Sequence, residues 1–156
     1  MSLSLRNNKS LIAGILIVSS ALLTHAKVFT VFGVNPNLLA ASLAVWVFFM
    51  DGFFMYFLLA GFGAIILKSY PAFDWPSVAF LILPALFILF KIISPLRPLP
   101  TIAFSAILGT MVFYAIIDYN FLITHFLIVL SESALNGAWA GAIFGLLKRF
   151  TRDWVV

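Results

Sequence analysis

The chain is 156 residues long, 64% hydrophobic and 9% charged, with a mean hydropathy of +1.18. Soluble domains carry about 25% charged residues, so this polar allowance excludes a water-covered globule and points to a bilayer as solvent. The net charge of +4 reads as topology signals beside membrane spans and not as a nucleic-acid surface.

Six apolar segments follow one another: residues 11–32, 37–50, 52–67, 75–93, 101–117 and 121–147. Period-2 alternation is absent, so a β-barrel is not expected. Backbone amides in lipid must bond within the chain, which leaves helices. The expected fold is all-α: a polytopic membrane helix bundle of about six transmembrane helices. No polar stretch is long enough to fold alone, so residues 1–156 form a single integral membrane domain. Several segments fall short of the ~20 residues that cross a bilayer upright. The second and third, separated by Asp51-Gly52, read either as a tight helical hairpin or as one long kinked element. The sixth is longer than a crossing needs, so it should tilt, or break near residues 131–136.

Proline and aromatic residues punctuate these segments. Asn35-Pro36-Asn37 breaks the chain after the first, and residues 70–76 form a turn in which Pro76 suits a first helical turn. Pro95, Pro98 and Pro100 make residues 94–101 an irregular connection. Pro84 should kink the fourth segment. Trp46, Tyr70, Trp75 and Trp154 suit the membrane interface. The N-terminus mimics a secretory signal, with Arg6 and Lys9 before an apolar run and Thr24-His25-Ala26 after it, but is read as an uncleaved first span.

The basic residues set orientation. With six spans and a cytoplasmic N-terminus, Arg6, Lys9, Lys91, Arg97, Lys148, Arg149 and Arg152 lie inside, and only Lys27 and Lys68 outside. Both termini are therefore expected in the cytoplasm.

Glu132 is a carboxylate within the long apolar sixth segment, and an ionisable group at bilayer depth costs several kcal/mol unless partnered. Asn136 follows at i+4 on the same helix face, and His125, seven residues before Glu132, falls roughly on that face too. Two readings stand open. These side chains form a buried polar site for an ion, a small ligand or a partner's side chain, or they bond a neighbouring helix of the same bundle. Ser133, Gly137, Gly141 and Gly145 form a small-residue ladder for close backbone approach, either inside the bundle or against another membrane protein. Gly61 and Gly63, with Ala60 and Ala64, offer a second such patch. Asp51 and Lys91 both fall near the cytoplasmic side and can pair there. Lys27, Lys68, Asp74 and Asp118 read as boundary markers near the outer face. The 18 phenylalanines read as packing and lipid-facing bulk.

Catalytic signals are lacking. The chain has no cysteine, and His25 and His125 have no metal-ligand spacing. No serine sits in a nucleophile elbow, there is no phosphate loop, and Asp51 and Asp118 lack the Gly-x-Gly-Asp context of intramembrane aspartyl proteases. No catalytic residue, metal ligand or cofactor is expected.

Three pieces carry a family resemblance: Asn35-Pro36-Asn37-Leu38-Leu39, Gly61-Phe62-Gly63-Ala64-Ile65-Ile66-Leu67, and Glu132-Ser133-Ala134-Leu135-Asn136 with Lys148-Arg149 after it. Together they resemble the MreD family of rod shape-determining membrane proteins, over roughly residues 35–150. Lys68 departs from the pattern, standing where that family often carries Asp. The resemblance implies a non-enzymatic scaffold of the bacterial inner membrane that acts with an MreC-like membrane protein, actin-like MreB, RodA and a penicillin-binding protein. Its role would be in regulation of cell shape and lateral peptidoglycan synthesis. Glu132, Asn136, His125, Gly137, Gly141 and Gly145 would then form the partner-binding or buried polar site. The family's fold is similar to the S-components of energy-coupling-factor transporters, which implies an alternative: a substrate-binding membrane subunit of a vitamin-type transporter.

Overall fold

An apolar chain with no water to bond satisfies its amides internally, and residue after residue of this protein does so in helices. The structure, a computed structural model, describes residues 2–30, 33–50, 52–67 and 75–150. Its helices are α1 (Ser2–His25), α2 (Leu38–Trp46), α3 (Phe53–Leu67), α4 (Trp75–Ile93), α5 (Pro98–Ile117), α6 (Tyr119–Thr124) and α7 (Phe126–Phe150). No β-strand occurs among the described residues. The all-helical bundle expected from the sequence is present.

Three helices, α4, α5 and α7, are long and apolar enough to cross a membrane, which makes the chain a multi-pass membrane protein. The apolar parts of α1 (Leu11–His25) and α3 (Phe53–Ile66) are shorter. At 9 residues, α2 rises only about 14 Å, half the ~30 Å of a hydrocarbon core. The six segments are thus real, but they are not six equivalent spans.

The shortest of the six segments is the most buried. Every residue of α2 is buried, and α1, α3, α4, α5 and α7 surround it. Leu39, Leu43, Trp46 and, just beyond the helix, Phe49 form the centre of the core with Ile17, Tyr56, Leu83, Phe87 and Ile102. Side chains close both ends of α2. At its start the Asn37 side chain accepts a hydrogen bond from the Ala40 N–H at 3.1 Å, and Thr24 Oγ1 accepts one from the Leu38 N–H at 3.0 Å. Toward its end the Tyr56 hydroxyl donates to the Leu43 carbonyl at 2.6 Å, and Lys91 Nζ donates to the Val47 carbonyl at 3.0 Å. A cation at a helix C-terminus also complements its dipole. The second and third segments are therefore a hairpin of two separate helices.

Pairs of contacts fix the helix directions. Ser20 meets Ser42 and Thr24 meets Leu38, so α1 and α2 are antiparallel. Gly14 lies against Leu59 and Ile17 against Gly63, so α3 runs with α1. Gly61 adjoins Leu81, whereas Lys91 reaches Val47 beyond the level of Tyr56, so α4 runs against α3. Phe80–Phe113 (4.8 Å) and Phe90–Phe104 (6.5 Å) make α5 antiparallel to α4. Contacts described below make α7 antiparallel to α5. The start of α1 and the end of α7 consequently lie at one end of the bundle, with Lys91, Arg97, Lys148 and Arg149. Lys27, Asp118 and α6 lie at the other.

Several local expectations are corrected. Trp46, expected at the interface, is wholly buried on α2, because that helix has no lipid-facing side. Residues 94–101 are not irregular throughout: α5 begins at Pro98, and both Pro98 and Pro100 occupy its first turn, where a missing N–H has no intrahelical partner to lose. The sixth segment does not break near residues 131–136. It breaks at His125, between α6 and α7, and α7 continues unbroken to Phe150. Pro84 is buried inside α4, and Trp75 is exposed at the start of α4. Asp51, Lys68, Tyr70, Asp74 and Trp154 lie outside the described residues, and so does any Asp51–Lys91 pair.

Phenylalanine is used on both sides of the bundle. Phe49, Phe80, Phe87 and Phe144 fill the core, while Phe54, Phe62 and Phe104 project from the exterior with Leu11, Ile15 and Ile65. Such an exterior matches a lipid environment.

Candidate functional site

Several of the most deeply buried polar side chains, Asn136, Ser133 and Thr110, gather at the seam between α5 and α7, where Glu132 is also buried. Glu132 and Asn136 share one face of α7, and that face is turned inward: Asn136 is fully buried and Glu132 nearly so. Thr110 and Tyr114, also i and i+4, sit opposite on α5. The Tyr114 hydroxyl donates to Glu132 Oε2 at 2.5 Å, and Asn136 Nδ2 donates to Thr110 Oγ1 at 2.8 Å. The Thr110 hydroxyl in turn donates a hydrogen bond to the Ala106 carbonyl at 2.9 Å. Two rungs one helical turn apart thus join antiparallel helices. Ser133, between them, bonds back to the Val129 carbonyl of its own helix. The Asn136 Oδ1 atom is buried with no hydrogen-bond partner.

Close packing flanks the rungs. A Cβ on Gly137 would lie 2.8 Å from Ile107 Cγ1 and 3.1 Å from the Ala103 carbonyl oxygen, so only glycine admits α5 this near. A Cβ on Gly141 would lie 3.8 Å from Leu99 Cδ1, and one on Gly145 would have no described atom within 4 Å. The Ser133–Gly137 part of the small-residue ladder is therefore an internal contact. Contact loosens at Gly141 and ends before Gly145, which is exposed. In the second patch, a Cβ on Gly63 would meet Leu39 Cδ1 at 2.6 Å, bringing α3 tight against α2.

His125 does not extend the Glu132 face. It is exposed, closes α6 through its N–H to the Phe121 carbonyl, and precedes α7. Its ring stacks on Phe121 at 4.5 Å, which in turn stacks on Tyr114 at 5.6 Å. His125 is thus joined to the seam through two aromatic rings and not through a shared helix face. Asp118 caps α6, accepting from the Phe121 N–H at 2.9 Å. Both residues lie at the end of the bundle opposite Lys91 and Arg97.

Tyr114 and Thr110 are the members that reading the sequence missed. Their signal was available: two hydroxyls at i, i+4 within an apolar span mirror the Glu132–Asn136 spacing, as a matching strip on a partner helix would. On the outward side, α7 exposes Ser131, Ala134, Ala138 and Ala142, in contrast to the bulky exteriors of α1 and α3.

The seam can hold two helices in one register and leaves one acceptor over. No group of three or more His, Cys, Asp and Glu that could hold a metal ion occurs among the described residues. Comparison of the chain with protein-family models, curated proteins and solved structures finds no match in any of the three.

Proposed function

We propose that the chain is a non-enzymatic scaffold of the bacterial inner membrane, MreD-like, which engages an MreC-like protein and other elongation-complex proteins in the control of cell shape. In this reading both termini are cytoplasmic, as the collection of Lys91, Arg97, Lys148 and Arg149 at one end favours.

The observation that carries the reading is where the resembling pieces fall. Asn37 of the first caps α2, and Leu39 of the same piece packs against Gly63 of the second. Glu132 and Asn136 of the third lock α7 to α5. All three are joints of the bundle, as suits a protein whose product is a shaped surface. The Glu132–Asn136 pair then acts on a partner indirectly, by setting the pose of α7, while the outward Ala134–Ala138–Ala142 side of α7 makes the contact.

The test is co-purification with an MreC-like protein from detergent-solubilised membranes. Ala138→Leu should abolish it while the chain still inserts and melts normally, and a bulky residue on the exterior of α3, Phe62→Ala, should leave it unchanged. Full co-purification of Ala138→Leu removes α7 as the contact. Recovery of a stoichiometric small molecule with the purified chain favours a transporter subunit instead.

A further inference from the structure

Five helices surround α2, and four of the joints between them are helix on helix. Gly14 lies against Leu59 where α1 meets α3, and Gly61 against Leu81 where α3 meets α4. Gly109 lies against Phe87 where α4 meets α5, and the two polar rungs tie α5 to α7. The fifth joint, between α7 and α1, is different. Among the described residues no Cα of α1 lies within 8 Å of one in α7. The turn after α1 crosses instead: the Phe29 ring meets Trp139 of α7 edge-on, with centroids 5.0 Å apart.

That turn is strained. Lys27 holds φ at +52°, the left-handed region that residues with a Cβ rarely adopt. Such a residue persists only where its surroundings hold it, and switch regions collect them. Here Thr30 Oγ1 donates to the Lys27 carbonyl at 2.9 Å, Asn35 Nδ2 donates to the Thr24 carbonyl at 3.2 Å, and Phe29 sits on Trp139. The bonds of α2 divide the bundle at the same seam. Side chains tie α2 to α1 through Ser20–Ser42 at 2.6 Å and Thr24–Leu38 at 3.0 Å, to α3 through Tyr56 and to α4 through Lys91. The contact of α2 with α7 at its inner end is apolar, Phe49 on Phe144 at 5.6 Å. α1 to α4 thus form one body, and α5 to α7 another. The two stay joined where α4 passes into α5, with Ser94 bonded to Thr101 at 2.9 Å.

We infer that Phe29 is a latch: the bundle opens sideways between α1 and α7 when its ring leaves Trp139, which bares the side of α2 between Ser42 and Phe49 to lipid. A single edge-on aromatic pair is a weak closure, and its loss changes a population by about two- to tenfold.

The chain has no cysteine, so a spin-label pair reads the seam alone. Leu22→Cys on α1 and Ser131→Cys on α7, both exposed, carry the labels in the full chain. Pulsed dipolar spectroscopy in lipid nanodiscs measures the distance between them. The ratio of a longer distance to the main one should rise about two- to tenfold in Phe29→Ala. Lys27→Gly, which relieves the left-handed strain and keeps the ring, should lower the ratio found in Phe29→Ala when the two are combined. Phe54→Ala, an aromatic on the exterior of α3, should leave it at the wild-type value. A second pair, Phe104→Cys on α5 with Ser131→Cys, should keep one distance throughout. Thermal melts confirm folding, and Phe29→Leu, which keeps apolar bulk and loses the edge-on contact, carries the test if Phe29→Ala melts early. A ratio that stays at the wild-type value in the folded Phe29 variant overturns the inference. A longer distance that appears equally in the α5–α7 pair overturns it too, because the whole bundle is then loose.

Discussion

Tyr114 and Glu132 face each other across α5 and α7, hydroxyl to carboxyl at 2.5 Å, and so fix the relative height of the two helices. The Asn136–Thr110 bond one turn along repeats the same pairing at 2.8 Å. A slide of either helix by one residue separates both rungs. Of the two readings open for Glu132 and Asn136, these bonds are the one to a neighbouring helix of the same bundle, and they hold α7 in place.

Tyr114→Phe leaves the Glu132 carboxyl buried with no phenol to accept from, and should destabilise the chain by about 1–3 kcal/mol. Glu132→Ala should cost a similar amount, and the double variant should fall short of the sum by about 0.6–1.7 kcal/mol, the range of such couplings in membrane bundles. Reversible unfolding in mixed detergent measures all three. Strict additivity would mean that the hydrogen bond contributes nothing to the fold.

The glycines of α7 should separate by position. Gly137→Ala places a methyl 2.8 Å from Ile107 Cγ1 and 3.1 Å from a backbone oxygen that cannot rotate away. Overpacking of this kind costs about 1–3 kcal/mol. Gly145→Ala meets no described atom and, at an exposed position inside a helix, should stabilise by about 0.5–1 kcal/mol through the better helix propensity of alanine. Melting temperatures in one detergent suffice, and equal effects at the two positions would contradict the seam geometry.

Lys91 reaches from α4 to the Val47 carbonyl at the end of the buried α2. Lys91→Met keeps the length of the side chain and removes the charge-assisted bond, a loss of about 1.5–3 kcal/mol. Hydrogen exchange should accelerate first in residues 47–50. Unchanged protection there would show that α2 holds its end without help.

Trp46 is buried with its indole N–H unpartnered. Trp46→Phe removes a donor that nothing satisfies while shrinking the ring, so the two effects oppose and stability should move by less than about 1.5 kcal/mol. Tyr56→Phe, which deletes a made bond to the Leu43 carbonyl, should cost more. The reverse order, read from the same melts, would count against this arrangement of the core.

Much of the architecture was legible in the chain itself. Apolar runs interrupted by Asn35-Pro36-Asn37, Asp51-Gly52 and the prolines after Ser94 mark off the helices, because backbone without water must bond to itself between those breaks. Glu132 and Asn136 stood out for the same reason, as polar groups needing an answer in lipid. Their partners were not legible, since Tyr114 and Thr110 are ordinary residues of an apolar span until α5 is laid against α7. His125 was assigned to the Glu132 face by counting along one continuous helix, and the break at that very residue removed it.

Composition and the spacing of turns determined that this protein is a helical bundle for lipid, because solvent preference and backbone bonding are local demands that every residue states for itself. Which helix is central, which face is inward and which glycine is indispensable were decided only by tertiary contact. In an almost uniformly apolar chain each helix is hydrophobic on all sides, so no sequence period says which side meets a neighbour and which meets lipid. Trp46 shows the consequence: by residue type it belongs at the membrane surface, and by packing it lies at the centre of the fold.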